Sequence, residues 1–254
     1  MDKNNGISKR QLRRQKMQRA QTRTRLVTLS LVSLGALLVA FVLIYPNLKP
    51  VGAISTAAPL ARPNPQANAA GDPNAPIKIE EFSDFQCPYC AQFTQTTEPG
   101  LLETYVSTGQ VYFVYRSMGE WIGPESVAAA EAAYCAGDQN KFWEMHDILF
   151  ANHTGENVGD YTARRLKAFA ETIGLDTGQF NSCFDGGKFS DQVRQDQRDG
   201  LAAGLQGTPF FLFTYTVNGE TKTRTLAGAF PLNDPGSSND FKRVIDAALA
   251  DMGQ

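Results

Sequence analysis

The chain has 254 residues, 42% of them apolar, and its 24 basic and 26 acidic side chains leave a formal net charge of −2. That figure hides a segregated chain: the first 25 residues carry plus eight and everything after them minus ten, so nucleic acid is excluded as an expected partner of the later part. The domain beyond the N-terminal region, about 180 residues, is long enough for one core plus an inserted subdomain.

Residues 1–25 hold Lys3, Lys9, Arg10, Arg13, Arg14, Lys16, Arg19, Arg23 and Arg25 against Asp2 alone. Leu26 to Tyr45 are uncharged and mostly Leu, Val and Ala, and at about 1.5 Å per residue they span about 30 Å of hydrocarbon. The pattern predicts a single-pass transmembrane helix over 26–45, its basic flank (1–25) in the cytoplasm and the rest extracytoplasmic at the cell membrane. A cleaved secretory signal is the rival reading, with Val51-Gly52-Ala53 as the small-residue site; against it stand the long basic region, the long apolar run and Lys49. Residues 46–72, rich in Pro, Ala and Asn without apolar periodicity, read as a linker.

From residue 73 to 254 the signals are those of one α/β domain. Ile77 to Phe82 alternates like a half-buried strand and runs into Cys87-Pro88-Tyr89-Cys90. Pro88 suits the first turn of a helix, which puts Cys87 at or beside its N-cap. There the unpaired amides and the helix dipole favour the thiolate, the nucleophile of thiol–disulfide exchange. Cys90, one turn further in, is then the resolving thiol, and Pro88 and Tyr89 tune the pair. The helix continues through Phe93 to about Tyr105 with a kink at Pro99. Val111 to Tyr115 is apolar throughout and reads as a central strand parallel to the first, with the cysteines at the carboxyl end of the sheet. Between Tyr115 and Pro209 there is far more chain than a parallel crossover needs, so a helical insertion is expected over about 117–205. Phe142, Met145, His146, Leu149 and Phe150 mark one buried helical face in it, and further helices fit at 125–135, 161–172 and 190–205. Phe210 to Val217, the Asn218-Gly219 turn and Lys222 to Leu226 make a hairpin, and a last helix carries Phe241, Val244, Ile245, Ala248 and Leu249 on one face.

Cys135 and Cys183 both fall in the insertion; in an oxidising compartment they read as a structural disulfide, with a relay pair serving Cys87–Cys90 as the alternative. No metal is expected, because the cysteine and histidine spacings lack a second short cluster. His146 reads as a core histidine, His153 as loop surface, and Asn152-His153-Thr154 as a chance glycosylation tripeptide. Glu81 shares a strand face with Ile77 and Ile79; if that face is buried, it is a desolvated carboxyl near Cys90, suited to proton transfer. Asp84 reads as exposed.

The strand-CPYC-helix unit, Glu81 six residues before Cys87, Gly207-Thr208-Pro209 before an apolar strand, and the helical insertion together resemble the thioredoxin superfamily, and within it the DsbA-like thiol–disulfide oxidoreductases. The resemblance covers Asp72 to Met252. It implies a thioredoxin-like fold with an inserted helical subdomain, a cis Pro209 lying against the active-site disulfide, substrate placed by Thr208 and Pro209, and Glu81 as buried proton acceptor. It further implies no cofactor beyond the Cys87–Cys90 disulfide, reduced or unfolded exported proteins as substrates, and a quinone-linked membrane protein as reoxidase. Oxidation is the expected direction. Isomerase or reductase activity is the alternative within the same fold, and a non-catalytic tethered binding module the alternative of another class.

Overall fold

The computed structural model describes residues 9–48, 51–56, 58, 60–237 and 239–253. Asp2, Lys3 and Lys49 lie outside them. The chain divides into two compact units, 1–50 and 51–254.

The first unit is one helix, α1 (Lys9–Leu48). Its stretch Gln21–Val42 is long and apolar enough to cross a membrane, with a mean hydropathy of 2.2. Arg10, Arg13, Arg14, Lys16 and Arg19 are exposed along the preceding turns.

The second unit is built on a five-stranded sheet of order β1-β3-β2-β4-β5, with β1 (Ala69–Ala70), β2 (Ile77–Ser83), β3 (Val111–Ser117), β4 (Phe210–Val217) and β5 (Glu220–Ala227). β2 and β3 are parallel, Ile77 facing Val111 and Ser83 facing Ser117, while β4 runs antiparallel to both β2 and β5. β2 is therefore the central strand. β3, read from its apolar run as central, lies one place from the edge, covered only by the two residues of β1. Asn218 and Gly219 close the β4–β5 hairpin with φ of 52° and 83°, the left-handed pair a tight primed turn requires.

After β2 come α2 (Pro88–Thr96), the short α3 (Glu98–Leu101) and one π-type turn, Leu102–Val106; the expected continuous helix breaks at Thr97, just before Pro99. The insertion consists of α4 (Pro124–Gly137), α5 (Phe142–Ala151), α6 (Ala163–Thr172), α7 (Thr177–Asp185) and α8 (Ser190–Ala202). α7, the helix in the insertion on which Cys183 was expected, lies outside the stretches 125–135, 161–172 and 190–205. Cys135 on α4 and Cys183 on α7 form a disulfide with Cα atoms 5.8 Å apart. The closing helix, α9 (Phe241–Asp251), is capped by Asp240, whose carboxylate accepts the Arg243 amide. Phe241 on α9 meets Phe93 of α2 and Phe211 of β4 at ring-centroid distances of 5.4 and 4.7 Å, so helix and sheet share one aromatic core.

Much of the segment 46–72, expected to be a tether, packs on this unit. Ser55 exchanges two hydrogen bonds with the Asn152 side chain, at 2.9 and 2.8 Å. Arg62 is buried, Asn68 pairs with the Tyr115 backbone, and β1 adds the edge strand. Low local hydrophobicity concealed this, because the anchoring is by single polar side chains and backbone rather than by an apolar face.

Candidate active site

β2 ends at Ser83, and the chain turns through Asp84, Phe85 and Gln86 to deliver Cys87 as the N-cap of α2, with extended backbone at φ −81° and ψ 121°. Pro88 occupies the first helical turn, where its missing donor costs nothing. Both cysteines are reduced. Cys87 is 5% exposed and Cys90 is fully buried one turn below it. The Cys87 thiol donates to the Thr208 carbonyl at 3.3 Å, and the Thr208–Pro209 peptide bond is cis. Residues 121 positions apart in sequence thus meet across the carboxyl end of β2 and the amino end of β4.

The two thiols differ electrostatically. A hydrogen bond from Cys90 lowers the Cys87 pKa to about 6 against the opposing effect of burial, with further help from Thr208 and the amides of Cys90 and Tyr89. Burial, followed by the hydrogen bond and charge of Cys87, pushes the Cys90 thiol well above its ordinary value. At neutral pH Cys87 is mostly thiolate and Cys90 is a thiol. Tyr89, between them, is 63% exposed.

Glu81 lies behind the pair on β2, flanked across the sheet by Tyr115 on one side and Phe211 on the other. It is fully buried, and among the described residues neither carboxyl oxygen has a hydrogen-bond partner. Burial first, and the Glu98 charge second, raise its pKa well above the ordinary carboxylate value, which favours the protonated acid. Of the residues singled out in the sequence, Cys87, Cys90, Thr208 and Pro209 come together at the mouth, with Glu81 in the floor. Cys135 and Cys183 are committed to each other in the insertion.

Asp84, expected to be exposed, is fully buried, and desolvation brings its pKa up to about 6. It escapes solvent because the loop after β3 and the start of α4 close over it. His153, expected on the surface, is half-buried, with its Nδ1 enclosed in the loop after α5. Asn152 is 4% exposed and bonded to Ser55 and to the Ile148 carbonyl, so its tripeptide serves packing and is shielded from modification.

A second buried cluster in the same unit has no local signature in the sequence. Arg62 Nη2 lies 2.9 Å from Glu98 Oε1, while both arms of its fork meet Asp147, at 2.8 and 2.9 Å. His146 Nδ1 sits 3.3 Å from Arg62 and 2.9 Å from Asp147, and the guanidinium covers the Trp143 ring at 4.2 Å. The His146 ring packs against Phe85, Tyr115 and Phe150, which places it in the core as expected.

Comparison with known proteins agrees with this geometry. Residues 64–247 match the family model described as Thioredoxin. The chain belongs to the thioredoxin family, and its fold is that of the DsbA-like thiol–disulfide oxidoreductases. Among solved structures, Wolbachia pipientis alpha-DsbA1 is similar at TM-score 0.61 and 22% identity, over 76% of this chain and 96% of that one. BdbD from Bacillus subtilis is similar at TM-score 0.58 and 19% identity, over 79% and 100%. A curated relative, the Na(+)/H(+) antiporter NhaA 1 of Salinispora arenicola, is 33% identical over 150 residues, which are 59% of this chain but only 21% of the antiporter. The probable disulfide bond formation protein D of Bacillus anthracis is 29% identical over 144 residues, 55% of this chain and 65% of that protein. The chain therefore spans about a fifth of the antiporter relatives it matches.

Proposed function

We propose that this protein is a membrane-anchored, extracytoplasmic thiol–disulfide oxidoreductase that oxidises cysteines of exported proteins. The observation that carries the reading is the asymmetric pair at the head of α2: an N-cap thiol with pKa about 6 over a buried thiol whose pKa is raised, against a cis Pro209. Stabilising the reduced thiolate makes the corresponding disulfide an oxidant, since the low-pKa sulfur is the better leaving group. The DsbA-like fold and the name of the Bacillus anthracis relative support the same assignment.

In the oxidised enzyme a substrate thiolate attacks Cys87 Sγ, forming a mixed disulfide and breaking the Cys87–Cys90 bond. Cys90 leaves as a buried thiolate and takes a proton from the Glu81 carboxyl, whose burial favours the protonated acid, and this restores a thiol in the low-dielectric floor. A second substrate thiolate attacks the substrate sulfur of the mixed disulfide. The substrate disulfide forms, and Cys87 departs as a thiolate stabilised by the amides of α2. Pro88 and Tyr89 tune that thiolate, while Thr208 and Pro209 place the attacking sulfur. Two electrons then reside on Cys87 and Cys90 and pass to a membrane reoxidase, which we take to be quinone-linked. The span in α1 anchors the enzyme, with the basic residues before it on the cytoplasmic side.

The test is the equilibrium of Cys87–Cys90 with graded glutathione buffers, thiols being counted by alkylation with Cys135 and Cys183 intact. A potential near or above about −180 mV supports net oxidation, and one near or below about −270 mV refutes it in favour of reduction.

A further inference from the structure

Asp196 lies on α8 with its side chain completely buried, and the exchange chemistry makes no use of it. Its Oδ1 pairs with Nε of Arg116 on β3 at 2.9 Å and accepts Gln192 Nε2 at 2.8 Å. Its Oδ2 accepts the Ser117 amide of β3 at 3.2 Å and the Tyr134 hydroxyl of α4. Arg116 also pairs with Asp199, further along α8, and faces Glu80 of β2 at 3.7 Å. Beside this clamp α8 comes down on the carboxyl end of the sheet with nothing between them. A Cβ at Gly200 would fall 2.8 Å from Met118 Sδ and 2.9 Å from Phe82 Cδ1, and one at Gly119 would fall 2.5 Å from Val193 Cγ1 of α8.

From the end of α8 at Ala202 the chain runs directly to Thr208, whose carbonyl meets the Cys87 thiol at 3.3 Å. The start of that segment is bound back to the helix. The amides of Ala203, Gly204 and Leu205 donate to the carbonyls of Asp199, Leu201 and Gly200 at 2.9, 3.1 and 3.0 Å. Leu205 is the one buried residue between Gly200 and Pro209, and it packs with Phe82, Met118 and Phe210. Phe82 and Met118 are also the side chains that Gly200 meets, so helix and segment rest on the same two residues.

We propose that Asp196 and Gly200 are positioning residues, which fix α8 on β2 and β3 and thereby hold the segment 203–208 so that Thr208 meets Cys87. The assignment rests on the oxidoreductase reading above. Arg116 and Ser117 set where α8 lies along the sheet, Gly200 sets its height, and Leu205 passes both to the turn that ends at Thr208. Asp196→Asn offers the Tyr134, Ser117, Gln192 and Arg116 donors one acceptor oxygen in place of two, at nearly constant volume. Gly200→Ala forces α8 away from Phe82 and Met118, or forces those side chains out of place.

The experiment follows thiolate absorbance against pH in the reduced full chain in detergent, with the glutathione equilibrium at pH 7 and the urea midpoint measured alongside. Variants are Asp196→Asn, Gly200→Ala and Leu205→Val, the last a loss of one methylene that the fold tolerates. Asn152→Ala, which loses buried hydrogen bonds on α5, is the control for lost stability alone. Thr208 contributes to the lowered pKa of Cys87, so displacing it raises the titration midpoint. We expect a rise of about one unit in Asp196→Asn and Gly200→Ala, about half a unit in Leu205→Val, and none in Asn152→Ala. A one-unit rise from about 6 weakens the reduced form about five-fold in the glutathione equilibrium at pH 7. A midpoint that stays or falls in every variant that folds, Leu205→Val among them, overturns the assignment. An equal rise in Asn152→Ala also overturns it, since lost stability would then account for the effect. If the wild-type pair does not exchange with glutathione, the oxidoreductase reading itself has failed; if it exchanges and the variants titrate as wild type does, that reading stands and this assignment falls.

Discussion

Replacing Arg62 by Met tests whether the segment before β1 belongs to the folded unit. The substitution keeps an apolar stem but removes the guanidinium that lies over Trp143 and is shared by Glu98, whose side chain is fully buried, and Asp147, whose side chain is 13% exposed. Breaking a buried ion pair from one side costs about 3–5 kcal/mol, because the remaining charge has neither partner nor water. Recovered apolar packing and proton uptake by a carboxyl offset part of this, so a loss of about 3 kcal/mol is expected. With a urea m-value of about 3 kcal/mol/M, the unfolding midpoint of the full chain in detergent should move down by about 1 M. The pH dependence supplies a second check. Burial pushes the Asp147 carboxyl up, but hydrogen bonds from His146 and Arg62 outweigh it and hold its pKa below the usual range. A depressed acid contributes stability that is full above its unfolded pKa, near 3.8, and lost as pH falls through the folded value. The gap between wild type and variant should therefore hold from pH 7 to about 4 and narrow below that. Neutralising all three members, with Arg62→Met, Glu98→Gln and Asp147→Asn together, should recover much of the loss. A midpoint shift under about 0.3 M for the single variant would refute the argument, since it would mean the segment is peripheral.

Glu81→Gln should stabilise the protein at pH 7, because an acid whose folded pKa is raised costs stability once pH exceeds its unfolded value of 4.5, and the gap should widen with pH up to the folded pKa. The same variant should slow the step that protonates Cys90 by about 100-fold in stopped-flow exchange; an unchanged rate removes Glu81 from the mechanism. Thiolate absorbance at Cys87 should titrate near pH 6, and the reduced form should gain stability over the oxidised form as pH rises from about 6 to 9, the advantage being lost as pH falls through 6. No thiolate signal below pH 8 would contradict the N-cap argument. Replacing Cys135 and Cys183 by Ala opens a link spanning 48 residues and should cost up to about 4 kcal/mol on the chain-entropy model, with Cys87–Cys90 exchange retained. Loss of exchange with fold intact would instead favour the relay reading of that pair.

The sheet and thiol site were legible where the determinants are local. The period-two pattern of Ile77 to Phe82, the Pro after Cys87 and the Asn218-Gly219 turn each reflect constraints within a few residues, and the corresponding elements are where the pattern puts them. Register and burial at Glu81 were readable for the same reason, since it shares a face with Ile77 and Ile79. β1 was not: two alanines make a strand only because Val114 and Phe113 of β3 lie beside them as partners.

The polar interior escaped because its partners are distant in sequence. Arg62, Glu98 and Asp147 sit in three unrelated segments, each looking like an ordinary charged surface residue, and only the packed α3 and α5 turn them into one desolvated cluster. Asp84 had a faint local signal, an acid two residues before Gln86 as in an Asx turn, but its burial depends on Ile122 and Ser126 closing over it from about 40 positions downstream. Charge in a turn usually means solvent, yet a turn roofed by an inserted subdomain obeys the rule for cores, where an acid survives only if several donors meet it. Asp84 has three such donors within hydrogen-bond distance, whereas among the described residues no donor reaches either Glu81 carboxyl oxygen with hydrogen-bond geometry. That contrast separates a carboxyl that holds loops in place from one free to exchange a proton with Cys90.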